Sequence, residues 1–411
     1  MTVIKRSGDL VTFDSTKIQN ALVRAMKHID NIDEFIAIEA AQEATKRLET
    51  LPEDNIHVDI IHTTVENVLM DMQQHQLARE YITYRFSHKP NIFRKRTNLK
   101  PYEYSQLLEY IDAIRHSYWI HTEFNYTSDV QDIKVRMTED EANIIKNAML
   151  AIAQIEVAVK TFWGKIYDRF PKPEIQSVGT TFAESEVRHA DAYSNLIELL
   201  GLNDEFKKLI EVPAIKKRIT YLEKINKQAV DNEDYFHNII LFSMFVENVS
   251  LFSQFLIMMS FNKHKNLLKG ISNAVEATSK EEDIHARFGF ELVNIIKKEN
   301  PEWFTEDVID MIIASVNEAY EAELAIVDWI YGDIDLEFLP KETVKEFIKD
   351  RFNQSMNAIG LEDIFKVNKE MLKSTAWFVE ETLSTKNIDF FVKRSTSYAK
   401  KIKSFTEDDL F

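Results

Sequence analysis

Six residues on four segments have the types and spacing to hold metal ions. Glu186 and His189 stand three apart in "FAESEVRHADAYSNLIELL" (182–200), and Glu282 and His285 repeat that spacing in "SKEEDIHARFGF" (279–290). Each pair interrupts an apolar stripe of helical period: Phe182, Tyr193, Leu196 and Leu200 around the first, Ile271, Val275, Thr278, Gly289 and Leu292 around the second. Glu156 breaks the stripe Met149, Ile152, Val159, Trp163, and Glu247 sits in "IILFSMFVENVSLFSQFL", which is apolar nearly all round and so reads as buried. An ionised carboxylate in such a place costs several kcal/mol unless it is paired or neutralised. Two helices that each give one Glu and two that each give Glu-x-x-His form the ligand set of a carboxylate-bridged dinuclear site in a four-helix bundle. Oxygen-rich donors with one imidazole per metal suit iron or manganese, whereas zinc takes fewer ligands. For any single residue the plainer reading is an ion pair or a satisfied core histidine. Six of them on four buried stripes strain that reading.

The elements that must position these groups are helices. Eight glycines and eight prolines in 411 residues are few, which predicts a mostly α protein of two or three domains. Helical patterns cover 138–170, 179–200, 232–262, 267–298, 304–331 and 341–358. The first thirteen residues read instead as a hairpin around "SGD", followed by an Asp14-capped helix to His28 and helices over 33–50, 56–72 and 75–88. A small α+β module of 1–90 therefore precedes a linker at 91–104, where two prolines and a basic cluster break the periodicity. A helical domain follows at 105–396, and 397–411 reads as a flexible tail.

Charge and composition exclude several functions. A net charge of −17 argues against a general nucleic-acid binder. The absence of cysteine excludes disulfides and thiol chemistry by this chain. With no apolar leader and no uncharged run of ~18 residues, a cytoplasmic protein with no membrane span is expected.

The order Glu156, Glu186-x-x-His189, Tyr193, Glu247, Glu282-x-x-His285 resembles the radical-generating small subunit of class I ribonucleotide reductase, a ferritin-like helical bundle. The likeness includes "YWIHTEF", "FFVKRSTSYAK" and the acidic-aromatic "FTEDDLF". It implies that the six residues are metal ligands, that Tyr193 is the radical tyrosine, and that Trp119, Glu281 and Tyr398 lie on a radical-transfer route. Glu281 departs from the usual Asp and Glu156 from a frequent Asp. Lys160 stands one turn beyond Glu156. Fe–Fe and Mn–Mn centres both fit, with Mn–Fe behind them. The implied partner is a large catalytic subunit, docked by the tail, with this chain a homodimer.

"VIKRSGDLVTFDSTKIQNALVRAM" resembles the ATP-cone, a nucleotide-sensing domain. Val3, Lys5, Arg6 and Lys17 match its ATP/dATP site, and the resemblance implies a higher oligomer under dATP. Lys17 in the first turn of a helix is disfavoured by ~0.3–1 kcal/mol unless an anion binds there. No Walker motif accompanies it, so hydrolysis is not implied. A stand-alone di-metal oxidase, a metal-storage bundle and a nucleotide-binding regulator with a purely structural bundle are the alternatives; the cone and the tail favour the reductase.

Overall fold

The structure, a computed structural model, describes residues 1–382 except 5–9, 28, 30, 31, 53, 88–90, 97, 98, 101 and 226–228, and omits the side chains of 86, 87, 158–160 and 225. The chain forms two compact units, residues 1–91 and 92 onward.

In the first unit, β1 (Thr2–Ile4) pairs antiparallel with β2 (Leu10–Thr12), Val3 opposite Val11. Helices α1 (Ser15–Met26) and α2 (Phe35–Glu49) follow, then β3 (Asn55–His57), α3 (Val58–Asp71) and α4 (His75–Ser87). Strand β3 adds parallel to β1, giving the order β2-β1-β3. The expected hairpin is present; the third strand is an addition to it. Asp14 caps α1 as expected, accepting from the Thr16 N–H at 3.0 Å, a contact of the kind worth about 1 kcal/mol. Ala37, Ala40, Ala41 and Ala44 line the inner face of α2, so α1 and α3 approach it closely around Leu22, Val65 and Leu69.

The second unit consists of α5 (Glu109–His116), α6 (Thr127–Gln131), α7 (Glu139–Gly164), α8 (Pro173–Leu199), α9 (Asn203–Lys208), α10 (Pro213–Ile225), α11 (Asn232–Leu241), α12 (Phe252–Lys265), α13 (Lys269–Glu299), α14 (Glu306–Tyr331), α15 (Lys341–Ala358), α16 (Lys369–Leu372) and α17 (Ala376–Thr382). The single helix expected over 232–262 is interrupted: a π-helical segment, Phe242–Ser250, joins α11 to α12. Within 91–104, the stretch expected to be a linker, Ile92, Glu103 and Tyr104 are anchored. Ile92 is buried, its N–H donates to Glu299, and the Glu103 and Tyr104 N–H groups both donate to the buried Glu174.

Helix ends follow local chemistry. Thr138 and Glu141 form a reciprocal capping box on α7, and Pro173 opens α8, where a missing N–H costs nothing. The start of α13 is capped from a distance: Asp132 accepts from the Leu268 N–H, and Asp129 from Gly270 and Ile271. Two stretches, Glu139–Asp168 and Asn232–Lys265, are long and apolar enough to cross a membrane by length and composition, but 69% and 94% of their apolar windows are buried in the unit. They are core helices.

Candidate metal centre

Helix α7 carries Glu156, α8 carries Glu186, His189 and Tyr193, the π segment carries Glu247, and α13 carries Glu281, Glu282 and His285. All of them are buried. The spacing of three puts Glu and His on one face of α8 and of α13, and these two faces meet.

The donor atoms fall into two overlapping groups, Glu156–His189–Glu282 and Glu186–Glu247–Glu282–His285, each within 4.8 Å of one another. The carboxylates of Glu186 and Glu282 divide between the two imidazoles. Glu282 sets Oε1 3.0 Å from His189 Nδ1 and Oε2 3.3 Å from His285 Nδ1. Glu186 sets Oε1 3.0 Å from His285 Nδ1 and Oε2 3.6 Å from His189 Nδ1. Glu247 Oε2 lies 3.5 Å from His285 Nδ1 alone. Two carboxylates thus lie between two positions, with one terminal carboxylate and one imidazole at each.

The imidazoles are held from behind. His189 Nε2 is 2.8 Å from Glu281 Oε2, which accepts only, so Nε2 carries the proton. His285 Nε2 is 2.9 Å from Ser185 Oγ, whose own proton goes to the Phe182 carbonyl. In this arrangement both Nδ1 atoms face the centre, where a metal would displace their protons and take the lone pairs. Trp163 Nε1 donates to Glu247 Oε1 at 2.8 Å and fixes that carboxylate. Both oxygens of Glu156 and of Glu186, Oε1 of Glu282 and both Nδ1 atoms make no hydrogen bond. Buried polar atoms left over on five of the six converging side chains are what metal ions satisfy, and the donor set of all six fits two of them.

Electrostatics agree. Burial, with Glu186 and Glu282 nearby, drives the Glu156 carboxyl well above its ordinary range, and burial beside Glu282 does the same to Glu247. Burial alone would lower both histidines, but the carboxylates around them, Glu186 first, hold them raised. Glu282 is depressed despite its burial, by its contacts with His189 and His285. With no cation the cluster keeps protons, which a metal would displace.

Tyr193 lies one turn beyond His189. Its hydroxyl donates to Thr278 Oγ1 at 3.2 Å, and burial, then the charge of Glu156, push its ionisation far upward, so it stays a phenol. Lys160 is on α7, its side chain outside the described residues. Trp119 stacks on His189, ring centres 5.9 Å apart at 19°, and Glu281 is fully buried against the same ring. These two meet the cluster directly; Tyr398 lies outside the described residues. Sequence reasoning missed Trp163, Ser185, Arg188 and Thr278. Trp163 was visible only as part of an apolar stripe, and the signal for Arg188 was a cation set between two ligand positions.

In the first unit Val3 is buried in the core. Lys17 is exposed on α1. The N-terminus of α1 already holds the Asp14 carboxylate, so the free helix end expected for a phosphate is occupied in part by the chain's own anion. Lys5 and Arg6 lie outside the described residues.

Comparison with known proteins agrees with the geometry. Residues 96–371 match the family "Ribonucleotide reductase, small chain", and residues 1–90 match "ATP cone domain". A probable ribonucleoside-diphosphate reductase small subunit of Invertebrate iridescent virus 3 is 24% identical over 323 residues, 74% of this chain and 85% of that one. Among solved structures, a putative class I ribonucleotide reductase from Bacillus halodurans has a TM-score of 0.62 at 17% identity, covering 67% of this chain and 99% of its own. Streptococcus sanguinis dimanganese(II)-NrdF has 0.56 at 15%, covering 69% and 99%. With its bundle, its buried carboxylate–histidine cluster and its N-terminal module all accounted for, the chain belongs to the ribonucleotide reductase small-chain family, the radical-generating subunit of that enzyme, and carries an ATP cone domain ahead of it.

Proposed function

We propose that the chain holds a dinuclear metal cofactor on Glu156, Glu186, His189, Glu247, Glu282 and His285, and uses it to oxidise a large catalytic subunit that reduces ribonucleoside diphosphates. The observation that carries this reading is the division of Glu186 and Glu282 between two imidazoles whose Nδ1 atoms have no hydrogen bond. When bound, the metals supply an oxidant by reaction with an oxygen species. The protein's own groups do the rest. Glu281 and Ser185 orient the imidazoles, Trp163 fixes Glu247, and Phe182 and Phe288 close the His285 side against water. Tyr193 keeps its proton, donated to Thr278 Oγ1, and Trp119, stacked on His189, is the first aromatic group on the way out.

The donor set suits Fe–Fe and Mn–Mn equally, and the manganese of the Streptococcus sanguinis protein supports keeping both. A stand-alone oxidase would need a substrate cleft that reaches the metals. A cleft beside α13 is lined by Tyr110, Ser117, Lys280 and Arg287 and by none of the six ligands. In the same reading the cone binds ATP and dATP and sets the oligomeric state, and residues 397–411 dock the large subunit. Loading the metal-free chain with iron and with manganese separately, followed by metal counting and electron paramagnetic resonance, tests the centre. Fewer than two metals per chain under both conditions would refute it.

A further inference from the structure

Arg188 stands between the ligands Glu186 and His189 on α8, yet it faces away from the centre and is buried. Its Nη1 lies 3.1 Å from both carboxylate oxygens of Glu281, and its Nη2 lies 3.2 Å from Oε1. The same Nη1 donates to the backbone carbonyl of Trp119 at 3.1 Å, and Nε donates to Glu184 at 2.9 Å. Its guanidinium packs 4.6 Å from the ring centre of Tyr118. One planar cation thus joins the carboxylate behind His189 to the segment that stacks Trp119 on His189. Trp119 has no second polar anchor through its ring, since Nε1 makes no hydrogen bond.

We infer that Arg188 is a positioning residue for electron transfer: it fixes Trp119 and Glu281 together against His189. The inference rests on the reading that the centre oxidises a partner through Trp119. With metals bound, the centre would supply a one-electron oxidant, and Trp119, stacked on His189, would be the group that passes one electron inward to it. The rate of that step depends on a stacking contact held by the clamp on the Trp119 backbone together with the packing of its ring on Phe124. Nη1 reaches Glu281 and the Trp119 carbonyl together because Nη2 on Glu281 and Nε on Glu184 fix the guanidinium plane, and an ammonium lacks those outer anchors.

Two variants of the full-length protein, Arg188→Met and Arg188→Lys, decide the matter, each read in two ways. On the metal-free chain, hydrogen exchange of residues 116–122 is expected to quicken in Arg188→Met and to stand between that and wild type in Arg188→Lys. With metals loaded and the large subunit present, two metals per chain should remain. The KM for the large subunit should hold, and kcat should fall ~10–100-fold for Met, the range usual for a residue one step behind a metal ligand, and less for Lys. Wild-type kcat and exchange in Arg188→Lys would overturn the clamp, since that variant keeps the positive charge beside Glu281 and loses only the planar guanidinium. Loss of metals in either variant would also overturn it, making Arg188 part of site assembly. Failure of the wild type itself to bind two metals would instead defeat the reading of the centre.

Discussion

At the level of single residues, the cluster's chemistry follows from how few donors it has to spare. Glu186 and His285 each face more than one of the other five side chains. Glu186→Ala and His285→Ala are therefore expected to lower metal content from two per chain to one or none, measured by elemental analysis on folded protein. Retention of two metals in both would show that the cluster is not the site. Tyr193→Phe removes only the hydroxyl on Thr278, a change of about 1 kcal/mol or less in stability. If the oxidant sits on Tyr193, turnover is lost while metals stay; if it sits on the metals, turnover survives. Electron paramagnetic resonance of the two proteins side by side separates these cases.

At the level of elements, the ligand helices were legible because a polar residue in an apolar stripe of period 3.6 marks a buried site, and Glu156, Glu186 and Glu282 all stand in one. Ends were legible where a local cap sets them, as at Asp14. What was hidden depends on distant partners. Strand β3 is three residues long and is a strand because β1 lies beside it. The stretch 91–104 has the composition of a linker, and Glu174 and Glu299, far along the chain, pin Ile92, Glu103 and Tyr104 within it. The π segment has the same apolar run as an α-helix; only its packing distinguishes it. That packing is tight at Gly289, where a Cβ would come within 2.0 Å of Ser243 Oγ and 2.6 Å of Ser243 Cβ. Gly289 is one turn from His285 and Ser243 one turn from Glu247. Gly289→Ala is thus expected to destabilise the bundle by about 1–3 kcal/mol and to weaken metal binding by displacing Glu247. Ser243→Gly should restore part of both, read by thermal melts and metal titration of the double variant. No restoration would place the strain elsewhere.

At the level of the whole molecule, the two units have separate cores and should answer to different ligands. Chelation should lower the melting temperature of the bundle. Binding at ~1,000 times Kd contributes about 4 kcal/mol, which for a domain of this size is on the order of 10 °C. Calorimetry with and without metal checks this, and an unmoved transition would mean that no metal binds the folded state. ATP and dATP should leave that transition alone and act on the cone and on association. A differential affinity of 1–3 kcal/mol is a typical size for such coupling. Light scattering is expected to show a larger assembly under dATP than under ATP, and no change when residues 1–90 are removed. An unchanged mass of the full-length chain under dATP would refute the control.

The π segment has one further consequence, for how the chain tolerates insertions and deletions. A π turn is equivalent to one residue inserted into an α-helix, so removing a single residue between Phe242 and Glu247 would let the segment relax to α geometry and swing α11 by about 100° relative to α12. Either α11 would leave its groove, or Glu247 would leave Trp163 and the cluster. A one-residue deletion there should thus be as damaging to metal binding as loss of the ligand itself, although every functional side chain is still present in the gene product.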